Sequence, residues 1–77
     1  MKKKVKQVMT SVLKMDISEI DENTSLESVE TWDSLRHINL IIALEEEFGI
    51  QFSGEEIVNM LSYKLIYLTI CDKLNEN

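Results

Sequence analysis

Ser34 has a hydroxyl group at a position that is suited to covalent modification. It follows Asp33 and precedes Leu35, where a polar stretch of the chain gives way to a helical pattern. The first turn of a helix has unpaired backbone N–H groups and a dipole that favour negative charge, so a phosphodiester on this hydroxyl would be well placed. The polar chain ahead of it predicts that the hydroxyl is exposed to a modifying enzyme. We expect Trp32 and Leu35 to anchor the turn by burying their side chains.

Taken alone, the Asp-Ser-Leu tripeptide favours a purely structural interpretation. Serine is among the preferred N-cap residues, and an Asp-Ser-Leu tripeptide occurs by chance in many unrelated proteins. In that interpretation Ser34 only caps the helix, and the wider sequence has to decide between the two.

His37 and Cys71 are the only histidine and the only cysteine, and together they could form a base and a nucleophile. A lone cysteine in a helical bundle is usually a packed side chain, and we expect His37 to be a surface residue beside Ser34 that contacts a phosphate or a partner protein. A single cysteine excludes an internal disulfide and leaves no Cys/His grouping with the spacing of a zinc site. No metal site is therefore expected, and a reducing, cytoplasmic setting fits.

The length of 77 residues, without a proline, predicts a single domain over residues 1–77 that is too small to enclose a deep catalytic cleft. The net charge of −6 is uneven, because residues 1–15 have five lysines and no acid whereas residues 16–56 have twelve acids and Arg36 as their one base. This acidic excess opposes binding to nucleic acid and favours basic protein surfaces as partners. No apolar run is long enough to span a membrane, and polar residues interrupt the segment that could resemble a signal peptide.

Two helices are predicted in the first two thirds of the chain. One face of the first has five apolar residues at helical spacing: Val5, Val8, Met9, Val12 and Leu13. Residues 14–33 then form a long connection from which four side chains turn inward: Ile17, Ile20, Leu26 and Val29. The second helix begins at the Asp33–Ser34 step and ends at Phe48, before Gly49. Its predicted buried stripe is Leu35, Ile38, Ile41, Ile42 and Phe48, which Leu40 and Leu44 widen.

Two further helices are predicted after Gly49. Ser53 and Glu56 fit a capping box, and Phe52 and Ile57 fit the hydrophobic staple around it, so a short third helix covers about residues 54–61. Ser62 is a plausible cap for a fourth helix. The buried stripe of that helix is Tyr63, Ile66, Tyr67, Ile70 and Leu74. No segment has the alternation of a strand, so the predicted fold class is all-α.

The sequence around Ser34 resembles the attachment region of acyl carrier proteins. The similar residues are Trp32-Asp33-Ser34-Leu35, then Ile38 and Leu40, then Ala43-Leu44-Glu45-Glu46-Glu47-Phe48-Gly49-Ile50. The helix lengths, the long first loop and the central serine are also similar. The resemblance implies a four-helix bundle in which Ser34, between Asp33 and Leu35, receives 4'-phosphopantetheine from coenzyme A. It further implies a stand-alone carrier without catalytic residues, which holds acyl groups as thioesters on the thiol of the cofactor.

The partners that this resemblance implies are a phosphopantetheinyl transferase, an acyl- or aminoacyl-activating ligase and acyl-transferring enzymes. These enzymes would bring basic patches to the acidic second helix of a monomeric carrier. The candidate docking residues are Arg36, His37, Glu45, Glu46 and Glu47. The three glutamates are equally compatible with a solvated helix end that only keeps the protein soluble.

Arg36 and His37 depart from the family pattern, since fatty-acid carriers commonly have acidic residues near the start of this helix. We therefore predict a specialised pathway, such as polyketide, nonribosomal peptide or other secondary biosynthesis. An aminoacyl or peptidyl carrier stays open and, more remotely, an acidic adaptor bundle in which Ser34 is only a cap. An enzyme is disfavoured because the sequence has neither a convergent Cys/His/Asp set nor a Gly-rich phosphate loop. The sequence does not specify the cargo.

Overall fold

The computed structural model describes residues 2–75, which contain four α-helices. They are α1 (Lys2–Leu13), α2 (Ser34–Phe48), α3 (Gly54–Asn59) and α4 (Tyr63–Asn75). This confirms the predicted all-α fold with a long first loop and a short third helix, although α3 ends two residues earlier than predicted. Met1, Glu76 and Asn77 of the predicted domain lie outside the described residues. No helix in the described part of the chain is long and apolar enough to cross a membrane.

The core combines one apolar stripe from each long helix with side chains from the loops. Its buried members are Val5, Met9 and Leu13 of α1, Leu40, Ile41 and Leu44 of α2, Tyr63, Ile66 and Ile70 of α4, and Ile20, Trp32, Phe52 and Met60 outside the long helices. The predicted stripes of α1 and α4 are confirmed, because their remaining members are partly buried against this core: Val8, Val12, Tyr67 and Leu74. The core therefore joins α1, α2 and α4, and for α1 and α4 the buried face is the one that the sequence periodicity predicts.

Local signals set the ends of the last three helices. Gly49 ends α2 in the left-handed conformation (φ 65°), which a glycine adopts without steric strain. The predicted capping box starts α3: the Ser53 N–H donates to the Glu56 carboxylate at 2.8 Å, and the Glu56 N–H donates to the Ser53 hydroxyl oxygen at 3.1 Å. Ser62 caps α4 as predicted, because its Oγ accepts the N–H of Leu65 at 3.2 Å.

The loop of residues 14–33 contains one turn of 3-10 helix at Ile17–Glu19. Ile20 follows this turn in an extended conformation and is buried, whereas Ile17 begins the turn and is 42% exposed. The prediction that Ile17 turns inward is therefore wrong, and those for Ile20, Leu26 and Val29 are confirmed. The middle of the loop contacts the start of α4, where the N–H of Tyr63 donates to the carbonyl of Thr24 at 3.0 Å.

α2 buries a different face from the predicted one. Leu35, Ile38 and Ile42 are 71%, 50% and 48% exposed, and we call these three residues the apolar strip. The buried residues of α2 are His37, Leu40, Ile41 and Leu44. Both sets have helical spacing, so periodicity alone does not distinguish them. The prediction was wrong for the apolar strip. It was right for Leu40, Ile41 and Leu44, which are buried, and for Phe48, which is partly buried against the core.

Candidate functional site

Asp33, and not Ser34, caps α2. Its backbone is extended (φ −103°, ψ −176°), and its Oδ1 accepts the N–H of Arg36 at 2.8 Å. The carbonyl of Asp33 accepts the N–H of His37 at 2.9 Å, which starts the helical hydrogen bonds. Ser34 is the first residue of the helix and is exposed. The alternative in which Ser34 serves only as a cap is therefore wrong, because Asp33 is the cap of α2.

Two backbone donors at the start of α2 lie next to the Ser34 hydroxyl in the chain. The N–H groups of Ser34 and Leu35 have no acceptor among the residues that the structure describes. The first N–H groups of a helix have no partner within it, and the helix dipole adds positive potential there. The arrangement suits an anionic group attached to the Ser34 oxygen, because its oxygen atoms would find these two donors.

A buried hydrogen-bond chain lies behind this turn. The Trp32 Nε1–H donates to Nδ1 of His37 at 3.0 Å, and Nε2 of His37 lies 2.9 Å from the carbonyl oxygen of Ile57 in α3. Indole is only a donor and a carbonyl is only an acceptor, so the ring proton is assigned to Nε2 of a neutral imidazole. Trp32 and His37 are 2% and 7% exposed.

This chain changes two of the predictions from the sequence. His37 is not a surface residue, and both of its ring nitrogens have partners inside the protein, so its assignment to the docking surface is wrong. Trp32 anchors the turn as predicted, but Leu35 does not, because its side chain is 71% exposed. A polar ring therefore occupies a buried position of α2 that was predicted from the sequence to lie at the surface.

The start of α2 is also attached to the end of α1. The Thr31 hydroxyl donates to the carbonyl of Leu13 at 2.6 Å, and Nη1 of Arg36 donates to the carbonyl of Val12 at 3.1 Å. These carbonyls belong to the last turn of α1, where helical partners are missing and a cation is favoured. Residues on both sides of Ser34 are thus held to the same neighbouring helix.

The three glutamates near the end of α2 differ in their surroundings. Oε2 of the half-buried Glu45 accepts the N–H of Phe52 at 2.9 Å. Glu47 forms an exposed ion pair with Lys4 at 3.4 Å. The side chain of Glu46 is exposed and has no hydrogen bond or ion pair within residues 2–75. A rise of about 1.5 Å per residue puts this acidic end roughly 18 Å along the helix from Ser34.

The sequence-based assignment of docking residues missed the apolar strip. Leu35, Ile38 and Ile42 follow Ser34 on the exposed side of the same helix. Val58 of α3 and Leu61 after it are 64% and 41% exposed. Exposed apolar groups that lie together indicate a surface that binds another molecule. The helical spacing of Leu35, Ile38 and Ile42 was visible in the sequence, but these three residues were assigned to the core.

Cys71 and His37 do not form a nucleophile–base pair. Both ring nitrogens of His37 are engaged with Trp32 and Ile57. A hydrogen bond with Cys71, which lies one turn further along α4, raises the pKa of the Tyr67 phenol. Within the described residues, no three His, Cys, Asp or Glu side chains come together as a metal site would need.

Comparison with known proteins adds evidence independent of this geometry. Residues 3–62 match the family model described as "Phosphopantetheine attachment site". The chain is 37% identical to an acyl carrier protein of Buchnera aphidicola subsp. Schizaphis graminum over 70% of this chain and 68% of the relative. It is 34% identical to an acyl carrier protein of Petrotoga mobilis, over 80% and 84% of the two chains. It is 23% identical to polyketide-8 synthase acyl carrier protein 2 of Streptomyces avermitilis, over 97% and 86%.

Proposed function

Because this chain belongs to the acyl carrier protein family, whose phosphopantetheine attachment domain it contains, we propose that Ser34 is its attachment residue and that residues 1–77 act as one carrier unit. Proteins of this family are carriers and not catalysts. The bound cofactor supplies a thiol on which an acyl group is held as a thioester. The residues of the chain present the arm and dock the enzymes.

The observation that supports this proposal is that Asp33, and not Ser34, caps α2. Asp33 satisfies the N–H of Arg36, so the exposed Ser34 hydroxyl has no structural duty at the helix start. The adjacent N–H groups of Ser34 and Leu35 are available to the oxygens of a phosphodiester. If Ser34 were the cap, its hydroxyl oxygen would be expected to accept the N–H of Arg36 or His37. Those two N–H groups donate instead to the side chain and the carbonyl of Asp33.

The first test is intact mass after incubation with coenzyme A and a broad-specificity phosphopantetheinyl transferase. The parent should gain one phosphopantetheine unit, and Ser34→Ala should gain none. Ser53→Ala is the matched control because Ser53 also lies at a helix start but accepts the N–H of Glu56 as a cap. This variant should be modified like the parent. Modification of Ser34→Ala, or an unmodified but folded parent, would contradict the assignment and favour a non-carrier adaptor.

The docking surface proposed here combines charge with the apolar strip. Glu46 is the most available of the three glutamates, and Arg36 is half-buried at the other end of α2. Basic patches on a transferase or on an acyl-transferring enzyme would be steered by the acidic residues. The apolar strip would then lose its contact with water when the enzyme binds. His37 is not part of this surface.

Charge substitutions in exposed leucine and isoleucine positions test the docking surface. Ile38→Asp should lower kcat/KM for the transferase by roughly tenfold, the effect of about 1.4 kcal/mol of lost binding. Leu65→Asp is the control because Leu65 is 45% exposed on α4, close to the 50% of Ile38 on α2. If the two variants lower kcat/KM equally at unchanged melting temperature, the apolar strip is not the docking surface.

We further propose that the pathway is a specialised one. The prediction from the sequence was based on Arg36 and His37, but His37 is buried and no longer supports it. Arg36 remains as a basic residue near the serine, and two relatives are named as polyketide-8 synthase acyl carrier proteins of Streptomyces avermitilis. A fatty-acid synthase system should use the phosphopantetheinylated protein less efficiently than its own carrier. Equal use would contradict a specialised role without affecting the assignment of Ser34.

A further inference from the structure

The ring of His37 is placed to act on the turn that contains Ser34 without touching Ser34. Trp32 precedes the serine by two residues, His37 follows it by three, and their side chains are joined by a hydrogen bond of 3.0 Å. Both side chains are almost fully buried, so water does not compete for this bond. The bond thus closes a short loop of chain around the exposed hydroxyl.

The carbonyl of Ile57 determines what His37 can do. It lies 2.9 Å from Nε2 and accepts a hydrogen bond from the N–H there, which leaves Nδ1 as an acceptor for the indole N–H. Ile57 is twenty residues further along the chain, in α3. The orientation of the imidazole is therefore fixed by α3, while its second nitrogen fixes Trp32.

We propose that His37 is a positioning residue for the transfer of phosphopantetheine to Ser34 and acts through Trp32. The inference rests on the proposed function of Ser34. Without the Nδ1 acceptor, the buried indole N–H has no partner and the extended backbone at Asp33 is less restrained. A smaller fraction of molecules then presents the hydroxyl in the orientation that the transferase binds, which raises the apparent dissociation constant by the inverse of that fraction.

Four variants separate the two hydrogen bonds from general stability. Trp32→Phe removes the indole donor and keeps an aromatic ring. His37→Gln keeps an amide near the position of Nε2, whereas His37→Asn keeps an acceptor near the position of Nδ1. Ile70→Val trims a fully buried side chain of α4 and serves as the control for lowered stability.

The experiment measures KM and kcat of a broad-specificity transferase for the parent and each variant, at saturating coenzyme A and well below every melting temperature. Trp32→Phe and His37→Gln should raise KM by roughly threefold to tenfold, the size expected for one lost hydrogen bond, with little change in kcat. His37→Asn should restore most of the affinity. Ile70→Val should lower the melting temperature and leave KM unchanged.

A second readout does not depend on loading. The chain has one tryptophan, so its indole N–H gives one NMR signal. That signal should move and exchange faster with solvent in His37→Gln but stay near the parent position in His37→Asn.

A parent that is loaded, with Trp32→Phe and His37→Gln matching the KM of Ile70→Val, would overturn the positioning role alone. A folded parent that is not loaded would overturn the assignment of Ser34 and the positioning role together.

Discussion

The starts of α2 and α3 have the same arrangement of an aromatic residue and a cap, but the serine is the cap in only one of them. In each, a buried aromatic residue, Trp32 or Phe52, comes directly before the residue that caps the helix. At α3 the cap is Ser53, whose Oγ accepts the N–H of Glu56 at 3.1 Å. At α2 the cap is Asp33, so the serine that follows it keeps its hydroxyl for other chemistry. The two serines thus differ in role because Ser53 is the cap of its helix, whereas Ser34 follows the cap of its own.

The two helix starts are also held by different forces. Trp32 at α2 uses a buried, neutral hydrogen bond to His37. At α3, Glu56 forms an ion pair with Lys73 at 2.8 Å, and the Lys73 ammonium lies 5.9 Å from the centre of the Phe52 ring. Salt has little effect on a neutral buried bond, whereas it weakens an ion pair to the extent that water reaches it, and the side chains of Lys73 and Glu56 are 21% and 32% exposed. The start of α2, which displays Ser34, is therefore expected to be less sensitive to salt than the start of α3.

Truncation of the aromatic residues should give the largest effect. We expect Trp32→Ala and Phe52→Ala each to lower the free energy of unfolding by about 3 to 5 kcal/mol, with Trp32→Ala the more damaging. Its excess arises because it also leaves Nδ1 of His37 without a donor. Urea unfolding at low temperature measures both. If Phe52→Ala is as damaging as Trp32→Ala, the buried hydrogen bond adds no stability to α2.

Removal of the caps should have the next largest effect. Asp33→Ala and Ser53→Ala should each lower the free energy of unfolding by about 0.5 to 2 kcal/mol, because one N–H group of the first turn loses its acceptor. Asp33→Ser is the control for α2, since serine also caps well and should recover most of the loss. Full stability of Asp33→Ala in urea unfolding would show that Asp33 is not the cap that its geometry indicates.

The helix starts show which features the sequence could predict. Gly49, Ser53 and Ser62 act on neighbours within a few residues, so helix ends near them were predicted from local pattern. At α2, Asp33 and Ser34 are adjacent and both are preferred caps. The choice between them depends on which residue has the extended backbone, and residue types do not reveal that.

The buried face of α2 depends on contacts from far along the chain. His37 is polar, so a local pattern places it outside, yet it finds an acceptor at Ile57, twenty residues away. Leu35 and Ile38 are apolar, so the same pattern places them inside, yet they are exposed. Sequence periodicity reports that a stripe exists and not what covers it. Sequence periodicity therefore predicts neither a hydrogen bond to a distant residue nor an apolar surface that stays exposed.

The ion pair at α3 should make a smaller and pH-dependent contribution. The hydrogen bond with Lys73, followed by that with the Ser53 backbone, lowers the pKa of Glu56 from its ordinary value of 4.5. Because the folded pKa lies below the unfolded one, the stability is present above about pH 4.5 and is lost as the pH falls through the folded pKa.

Glu56→Gln tests this contribution because glutamine can still complete the capping box. At neutral pH this variant should be less stable than the parent by at most about 1 kcal/mol, since the pair is near the surface. The difference in unfolding free energy should shrink in acid and in high salt. A difference that is constant with pH would mean that shape, and not charge, is what Glu56 provides.

Ser34→Ala should give the smallest change in stability and is the sharpest test of the comparison. An exposed side chain that is not the cap should change the free energy of unfolding by less than about 0.5 kcal/mol when it is truncated. Ser53→Ala, at the matching helix start, should show the loss of a cap in the same urea titration. If Ser34→Ala is as destabilising as Ser53→Ala, the hydroxyl has a structural role, and its loss of loading would no longer separate attachment from misfolding. If its stability matches the parent while loading is abolished, the chemistry at this helix start is independent of the fold that presents it.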